Sequence, residues 1–466
     1  MRIMLINPNR VQPPVMPIGM LYIASCLKEH GVDVIFLDLC FEEQPELLVE
    51  RAIKKYQPDA VGIGIRNIDS IVYTQMHFYL EGVEHIVSLI KRIAPGMPVI
   101  LGGAGYSIFP AEILSLLEAD YGIVGEGEKS FLLLCGIISC GQIAKHGVPG
   151  LVFWDENKTI VMNPIQNMTE AELNELPLPD YSLIDVMRYY RQGGACSIQT
   201  KRGCALGCIY CTYPSIEGKC FRLRTPSKVV DEMEYMKKNF GMNYFYIVDS
   251  IFNVPFVHTE RICDEIILRN LKINWFAYLS PVGFTEQRLD KLIRSGADGI
   301  WLSVDTCSDE MLHNMGKGYD TGVLKHAVDL CKERGISYNF VLLLGGPGET
   351  EETLSETFDF LEAHNPNIVV IMYGLRVYPG TPLYGSQLLT AQPAKLLNPL
   401  FYLSPPVAGN IYQLLKERTT GKAKWFLNAE HPDRKEQIQK LLMERKIKQC
   451  YENGMRGPYW AIVDKL

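Results

Sequence analysis

The sequence predicts an α/β protein in three parts. These are a doubly wound parallel sheet over residues 1–155, a partial (β/α)6 barrel over 191–385, and a small, mainly helical C-terminal domain over 386–466. Three observations carry this. Short apolar runs alternate with amphipathic helical patterns in both long segments, a proline-punctuated linker (156–190) separates them, and the rhythm is lost after residue 385. At 466 residues the chain has material for about three domains of roughly 150 residues each. Its 47% hydrophobic share excludes a disordered chain, and no repeat period is visible.

In the first segment, strands are expected at Arg2–Asn7, Asp33–Leu39, Ala60–Arg66, Pro98–Gly103 and Tyr121–Gly125, with helical patterns such as Gly19–Glu29 and Glu81–Ile93 between them. Strands that are apolar throughout are buried on both faces, which requires a parallel sheet with helices on either side. Ligands in such sheets sit beyond the carboxyl ends of the strands. Three polar or glycine-rich segments fall there: Asn7 to Arg10, Gly102 to Gly105, and Gly125 to Glu128. Read singly, each is equally well an ordinary tight turn.

Pro177 and Pro179 mark the extended linker. Beyond it, strands are expected at Cys196–Lys201, Tyr244–Asp249, Asn274–Leu279, Gly299–Asp305, Ser337–Leu344 and Ile368–Tyr378. Helical patterns (Ser227–Asn239, Glu286–Ser295, Gly322–Arg334, Thr350–His364) separate them. Six units are too few for the eight-stranded barrel, and reactive groups should gather at the strands' carboxyl ends. In the tail, Asp433–Glu452 reads as an amphipathic helix carrying Arg434, Lys435, Lys440, Arg445, Lys446 and Lys448, most simply as a solvated face. The tail is expected to cover the barrel mouth and shape a substrate pocket, with Tyr402, Tyr412, Trp425 and Trp460 as candidate lining or as core aromatics.

The net charge of −7 argues against nucleic acid as the main partner. No apolar run approaches the roughly 18 residues of a membrane span. The opening MRIMLINPNR lacks a signal-peptide layout, and thirteen cysteines, an odd number, point to reduced thiols. The expected compartment is the cytoplasm.

The strongest local signal is Cys204, Cys208 and Cys211, a Cys-x3-Cys-x2-Cys run in a loop after the first strand of the second segment. Three thiolates at this spacing can converge on one centre, and soft ligands suit zinc or an iron–sulfur cluster. Structural zinc needs a fourth protein ligand, which Cys220 or Cys196 would have to supply. A [4Fe–4S] cluster held by three cysteines leaves one iron open to a substrate-like molecule.

The motif resembles that of the radical SAM superfamily, in which Tyr210 before the last cysteine is a usual feature, and the resemblance extends across the second segment. It implies a [4Fe–4S] cluster on Cys204, Cys208 and Cys211, with S-adenosylmethionine (SAM) chelating the open iron and yielding a 5′-deoxyadenosyl radical. It also implies SAM contacts at Tyr210, at Asp249 and Ser250 (in place of the common Gly-Gly-Glu), at Ser303 and Asp305, at Gly346, and at Val377 and Tyr378. An external flavodoxin- or ferredoxin-type electron donor follows.

The first segment resembles the flavodoxin-like cobalamin-binding domain that precedes the radical SAM core in one class of that superfamily. The matching segments are Leu5 to Pro8, Pro17 to Leu21, Leu101 to Gly103, and Val124 to Glu128. Implied cobalamin contacts are Asn7, Pro8, Gly19, Arg66, Asn67, Gly102, Gly103, Gly125, Glu126 and Gly127. Many such domains place Asp-x-His-x-x-Gly after the first strand. Here that loop has no histidine, so the cobalamin is expected without a histidine lower ligand. Arg66 and Asn67 would lie under the corrin, Arg66 disfavouring a lower axial ligand or, equally, pairing with Asp69. Tyr73, His77 and Tyr79 follow in a stretch suited to the domain interface.

The resemblance implies a cobalamin-dependent radical SAM methyltransferase. It would methylate an unactivated carbon of a small metabolite, natural-product intermediate or lipid precursor through methylcobalamin and a 5′-deoxyadenosyl radical. Two alternatives remain at this point: a cobalamin-containing radical SAM enzyme that oxidises, cyclises or rearranges without methyl transfer, and a non-catalytic iron–sulfur or zinc protein.

Overall fold

The computed structural model describes every residue except 75, 141–144, 387–395, 429–442, 444, 459–461 and 464–466. The first sheet has seven strands: β1 (Arg2–Asn7), β2 (Asp33–Asp38), β3 (Ala60–Gly64), β4 (Val99–Gly102), β5 (Tyr121–Ile123), β6 (Leu151–Trp154) and β7 (Ile160–Met162). Their order is β2-β1-β3-β4-β5-β6-β7, parallel through β5 and antiparallel beyond it. Strand β7 carries this sheet past residue 155, into the stretch expected to be linker. The order reverses between β1 and β3, and this switch point opens a crevice at the strands' carboxyl ends.

The second sheet is built from β8 (Cys196–Ile198), followed by the short β9 (Lys201–Arg202) and β10 (Arg222–Leu223), which pair with each other. It continues through β11 (Tyr244–Ile247), β12 (Asn274–Leu279), β13 (Ile300–Asp305), β14 (Tyr338–Leu344) and β15 (Ile368–Tyr373). After Gly374, whose φ of +79° breaks the strand, β16 (Leu375–Arg376) pairs with β17 (Phe401–Tyr402). The last strand, β18 (Trp425–Leu427), lies parallel to β15. The sheet therefore runs β8-β11-β12-β13-β14-β15-β18, an open parallel barrel of seven strands.

The expected six strands are present, with two refinements. The expected Cys196–Lys201 strand divides into β8 and β9, and the expected Ile368–Tyr378 strand divides into β15 and β16. The seventh strand comes from the tail. Trp425 fits there because its ring stacks on Phe358 at 6.0 Å, so it is barrel core and not pocket lining.

The two parts share cores. Met16, Leu21 and Cys40 of the first part are buried in the barrel's main cluster, while Met311, Met315, Leu375 and Val377 are buried with the first sheet's apolar face. Tyr73 packs edge-on against Tyr373 (5.6 Å) and Phe401 (5.5 Å), which places it at this interface.

The tail divides between the two ends of the barrel. Ser404 donates its backbone N–H to the Gly345 carbonyl near the mouth. The described residues near 451 sit at the opposite end instead. There Gly457 donates to the Gly194 carbonyl just before β8, and the Arg456 guanidinium lies over the Tyr190 ring. The tail as a whole is therefore not a cover for the mouth. Residues 445–452 are helical with Arg445, Lys446 and Lys448 exposed, as a solvated face requires. Arg434, Lys435, Lys440 and Trp460 lie outside the described residues.

Candidate functional site

The carboxyl ends of both sheets face one cavity of about 1540 Å³, a figure that includes its open mouth. From the first sheet it is lined by Asn7 and Asn9 after β1, Gly62, Gly64 and Arg66 along and after β3, Gly102 and Gly103 after β4, and Gly125 to Glu128 after β5. From the barrel come Ser197, Gln199, Arg202, Tyr213, Glu217 and Val248. Of the positions expected to contact cobalamin, Asn7, Gly19, Arg66, Gly102, Gly103, Gly125, Glu126 and Gly127 line the cavity, whereas Pro8 and Asn67 lie in the same loops without lining it.

Gly103 shows why glycine is needed here. Its φ is +101°, and a Cβ would stand 2.5 Å from the Ile65 carbonyl oxygen, so any side chain would force the β3 and β4 ends apart. Arg66 is exposed to the cavity, and no carboxylate pairs with it among the described residues. The expected alternative, pairing with Asp69, does not form: Asp69 is bound 3.1 Å from the Arg376 guanidinium across the interface. No histidine lines the cavity among the described residues.

Glu126 is a partial correction. It borders the cavity, yet its carboxylate accepts from Arg222 at 2.7 and 2.8 Å and from the Met168 N–H at 2.6 Å, and stands 3.3 Å from Arg202. Glu128 binds Arg202 at 2.6 Å, both side chains buried. The Gly-Glu-Gly-Glu segment thus combines glycine backbone facing the cavity with a charge clamp onto the barrel.

That clamp ends beside the cysteine loop. Gly203, with φ +87°, turns the chain after Arg202, and its own N–H donates to Glu217. Cys204 is buried and Cys208 and Cys211 are half-buried. Burial pushes the Cys208 thiol up and the Cys211 thiol up to about 12, and each is raised further by the other cysteines. Three thiols in one neighbourhood form a soft donor set suited to an iron–sulfur cluster.

A single structural zinc ion would instead need a fourth protein ligand. Two cysteines are candidates for it, and Cys220 has its backbone against Gly203 at the start of the loop. Cys196 is buried in the barrel core beside Glu232, and Cys220 is exposed.

On one flank of the loop, Tyr210 donates its hydroxyl to Asp305 at 2.6 Å, and Lys317 donates to Asp305 (2.9 Å) and to the Ser303 carbonyl (3.0 Å). Burial lowers the Lys317 ammonium's pKa, but Asp305 and Cys208 more than offset this. Asp305 holds φ +68°, a conformation sparsely used by non-glycine residues.

On the other flank, Asp249 is engaged by the chain itself. Its carboxylate accepts from the Thr200 N–H and hydroxyl and lies 3.9 Å from the buried Lys201 ammonium, so it braces the strand feeding the loop. Burial raises the Asp249 carboxyl and draws Lys201 down to about 8. Ser250 donates to the Gly203 carbonyl at 3.2 Å and is likewise a brace.

Gly346 faces Met315, whose sulfur would meet a Cβ at 2.5 Å. Val377 is buried, and the Tyr378 ring lies under the Arg376 guanidinium, so both belong to the interdomain seam. The structure therefore gathers Tyr210, Ser303 and Asp305 beside the cysteines, and packs Val377 and Tyr378 in one apolar cluster with Ile209 and Tyr210 of the cysteine loop. Sequence reasoning missed Lys317, Arg202 and Tyr213. Tyr213 follows Cys211 by two residues, and Lys317 stands between two glycines after β13; both were legible as polar groups next to motif segments.

The Radical SAM superfamily profile matches residues 198–361, and the B12 binding domain profile matches residues 6–134. Together they span well over half the chain. The chain belongs to the cobalamin-binding class of radical SAM enzymes.

Among its relatives, tryptophan 2-C-methyltransferase of Streptomyces laurentii is 27% identical, the match covering 80% of this chain and 72% of that protein. An anaerobic magnesium-protoporphyrin IX monomethyl ester cyclase of Rubrivivax gelatinosus is 25% identical over 79% of this chain and 67% of its own length. The radical SAM methyltransferase TsrM of Kitasatospora setae, solved with cobalamin and a [4Fe–4S] cluster, superposes with a TM-score of 0.85 at 24% identity, covering 100% of this chain and 97% of that one. The two matched domains make SAM and cobalamin the cofactors of this chain.

Proposed function

We propose that this radical SAM enzyme transfers a methyl group to a carbon atom of a small molecule, using cobalamin held in the interdomain cavity. The observation that supports it most is that one cavity joins the glycine-rich strand ends of the first sheet to Arg202 and Tyr213, which flank the loop bearing the cysteines. Two cofactors and a small substrate can meet only where such a space is shared. When bound, the cluster and SAM supply one-electron chemistry and cobalamin a transferable methyl group.

The chain's own residues do the positioning. Cys204, Cys208 and Cys211 would hold the cluster, and Tyr210 and Lys317 fix the Asp305 carboxylate beside it. Gly102, Gly103, Gly125 and Gly127 admit a flat macrocycle against backbone, while Arg66 offers a permanent cation in place of an imidazole ligand. The Arg202 clamp holds the barrel and the first sheet against each other beside this space.

An external flavodoxin- or ferredoxin-type protein would deliver electrons, and a reducing compartment such as the cytoplasm suits twelve unpaired cysteines among the described residues. No helix of the described residues is long and apolar enough to cross a membrane.

The test is anaerobic purification with cobalamin, cluster reconstitution, reduction and addition of SAM with candidate substrates. S-adenosylhomocysteine together with a product heavier by one methyl group supports methyl transfer. A second reading, oxidation or cyclisation without methyl transfer, is favoured by the cyclase relative. SAM consumption to 5′-deoxyadenosine with no stoichiometric S-adenosylhomocysteine would select it.

A further inference from the structure

The segment that follows β13 clasps the cysteine loop. The Met315 carbonyl accepts from the Ile209 N–H at 3.2 Å, and a Cβ on Gly316 would stand 2.4 Å from the Gly207 carbonyl oxygen. Gly316 also holds φ +71°, in the left-handed region that favours glycine. Gly207 and Ile209 are the chain neighbours of Cys208, so backbone contacts hold this segment on both sides of the middle cysteine. Lys317, next along, reaches back to Asp305 (2.9 Å) and to the Ser303 carbonyl (3.0 Å).

Tyr319 ends the clasp. Its hydroxyl is buried, yet it makes no hydrogen bond to any described residue. The ionisable groups around it are Asp305, Cys307 and Cys208, and together with burial they keep the proton on the phenol oxygen. Asp305 does not accept from it, being held by Tyr210 and Lys317 instead. Cys307 is buried in the barrel core. What remains is the Cys208 side, where the Lys317 ammonium also senses Cys208 and Cys211. A buried donor with nothing to bond costs folding free energy, and such a group is completed by a ligand, an ion or a water.

We propose that Tyr319 tunes the iron–sulfur cluster: its hydroxyl donates a hydrogen bond to a sulfur at the Cys208 corner and raises the potential at which the cluster is reduced. This rests on the reading that Cys204, Cys208 and Cys211 hold a [4Fe–4S] cluster. Reduction adds one electron, supplied by the external reductant, to the cluster. The phenol keeps its proton, and no bond forms or breaks. The added negative charge spreads over the sulfurs, so a donor aimed at one of them favours the reduced form.

The test is an anaerobic redox titration of the reconstituted, cobalamin-loaded protein without SAM, with titanium(III) citrate as reductant, followed by the low-temperature EPR signal of the reduced cluster. Tyr319→Phe removes the hydroxyl and keeps the ring. It should make reduction about tenfold harder, a fall of about 59 mV for one electron, with iron and sulfide per chain at the parent level. Replacing Tyr319 with fluorotyrosine, a stronger donor of nearly the same shape, should raise the potential. A potential unchanged in Tyr319→Phe overturns the proposal, and if SAM binding weakens at the same time the hydroxyl serves SAM instead. Should Tyr319→Phe assemble no cluster, the fluorinated protein decides, and an unchanged or lower potential there overturns the proposal. Failure of the cluster reading is distinguishable, because the parent itself would then show neither iron–sulfur absorbance nor the EPR signal.

Discussion

Replacing Asp69 with Asn should loosen the seam between the two halves more than any surface change of similar size. Asp69 and Arg376 are 0% and 3% exposed and 3.1 Å apart, and they join the loop after β3 to β16. Arg376 also donates to the carbonyls of Val377 (2.6 Å) and Leu396 (2.8 Å), and its guanidinium lies over Tyr378 at 4.8 Å and Phe109 at 5.8 Å. These contacts satisfy its N–H groups but supply no negative charge. Removing one partner of a buried pair costs about 3–5 kcal/mol because the other charge is left uncompensated. A double variant, Asp69→Leu with Arg376→Met, removes both charges and should fall within about 2 kcal/mol of the parent. Urea unfolding of the parent, Asp69→Leu, Arg376→Met and the double variant, followed by circular dichroism and by tryptophan fluorescence to detect separate transitions, closes the cycle, with Asp69→Asn measured alongside. A cost below about 1 kcal/mol for Asp69→Asn, or effects that simply add in the double variant, would refute the reasoning.

Further outcomes are expected elsewhere. Ala at Cys204, Cys208 and Cys211 should abolish 5′-deoxyadenosine formation while corrin uptake, followed by its visible bands, persists. Gly103→Ala forces φ +101° on a residue whose Cβ would press on the Ile65 carbonyl, so cobalamin retention after gel filtration should fall sharply. His258 is buried and bound to the Thr200 carbonyl, and burial, helped by Lys201, lowers its pKa from 6.5 to about 4. The unfolded chain then binds the proton more readily. The parent should therefore lose up to about 3 kcal/mol as pH falls from about 6.5 to about 4, and urea titrations of His258→Gln should show that slope flattened.

Much of this architecture was legible because periodicity reports burial. The parallel strands of the first sheet and the six inner barrel strands are apolar runs that must be covered on both faces, and their starts could be read to within a residue, although the runs expected to end at Lys201 and Tyr378 break earlier, at Ile198 and Tyr373. Strands β6, β7, β17 and β18 were not legible, being only two to four residues long. The cysteine loop was legible from spacing alone. The commitments of Asp249 and Glu126 were not: a carboxylate at a strand end looks the same in sequence whether it meets a ligand or, as here, a neighbouring backbone or an arginine from another part of the chain. The stacking of Tyr246 on Phe276 across β11 and β12 needed strand register, which sequence periodicity does not supply.

The bond from Arg202 to Glu128 has a consequence for how such enzymes can be recombined. Arg202 stands two positions before the first cysteine, and its counter-ions belong to the other half of the molecule. A catalytic half grafted onto a foreign corrinoid module would therefore carry a stranded guanidinium next to its metal-binding loop, unless the graft brought the matching pair of acids. The two halves form a single heritable unit, and chimeras should succeed only when the exchange point leaves those three side chains together.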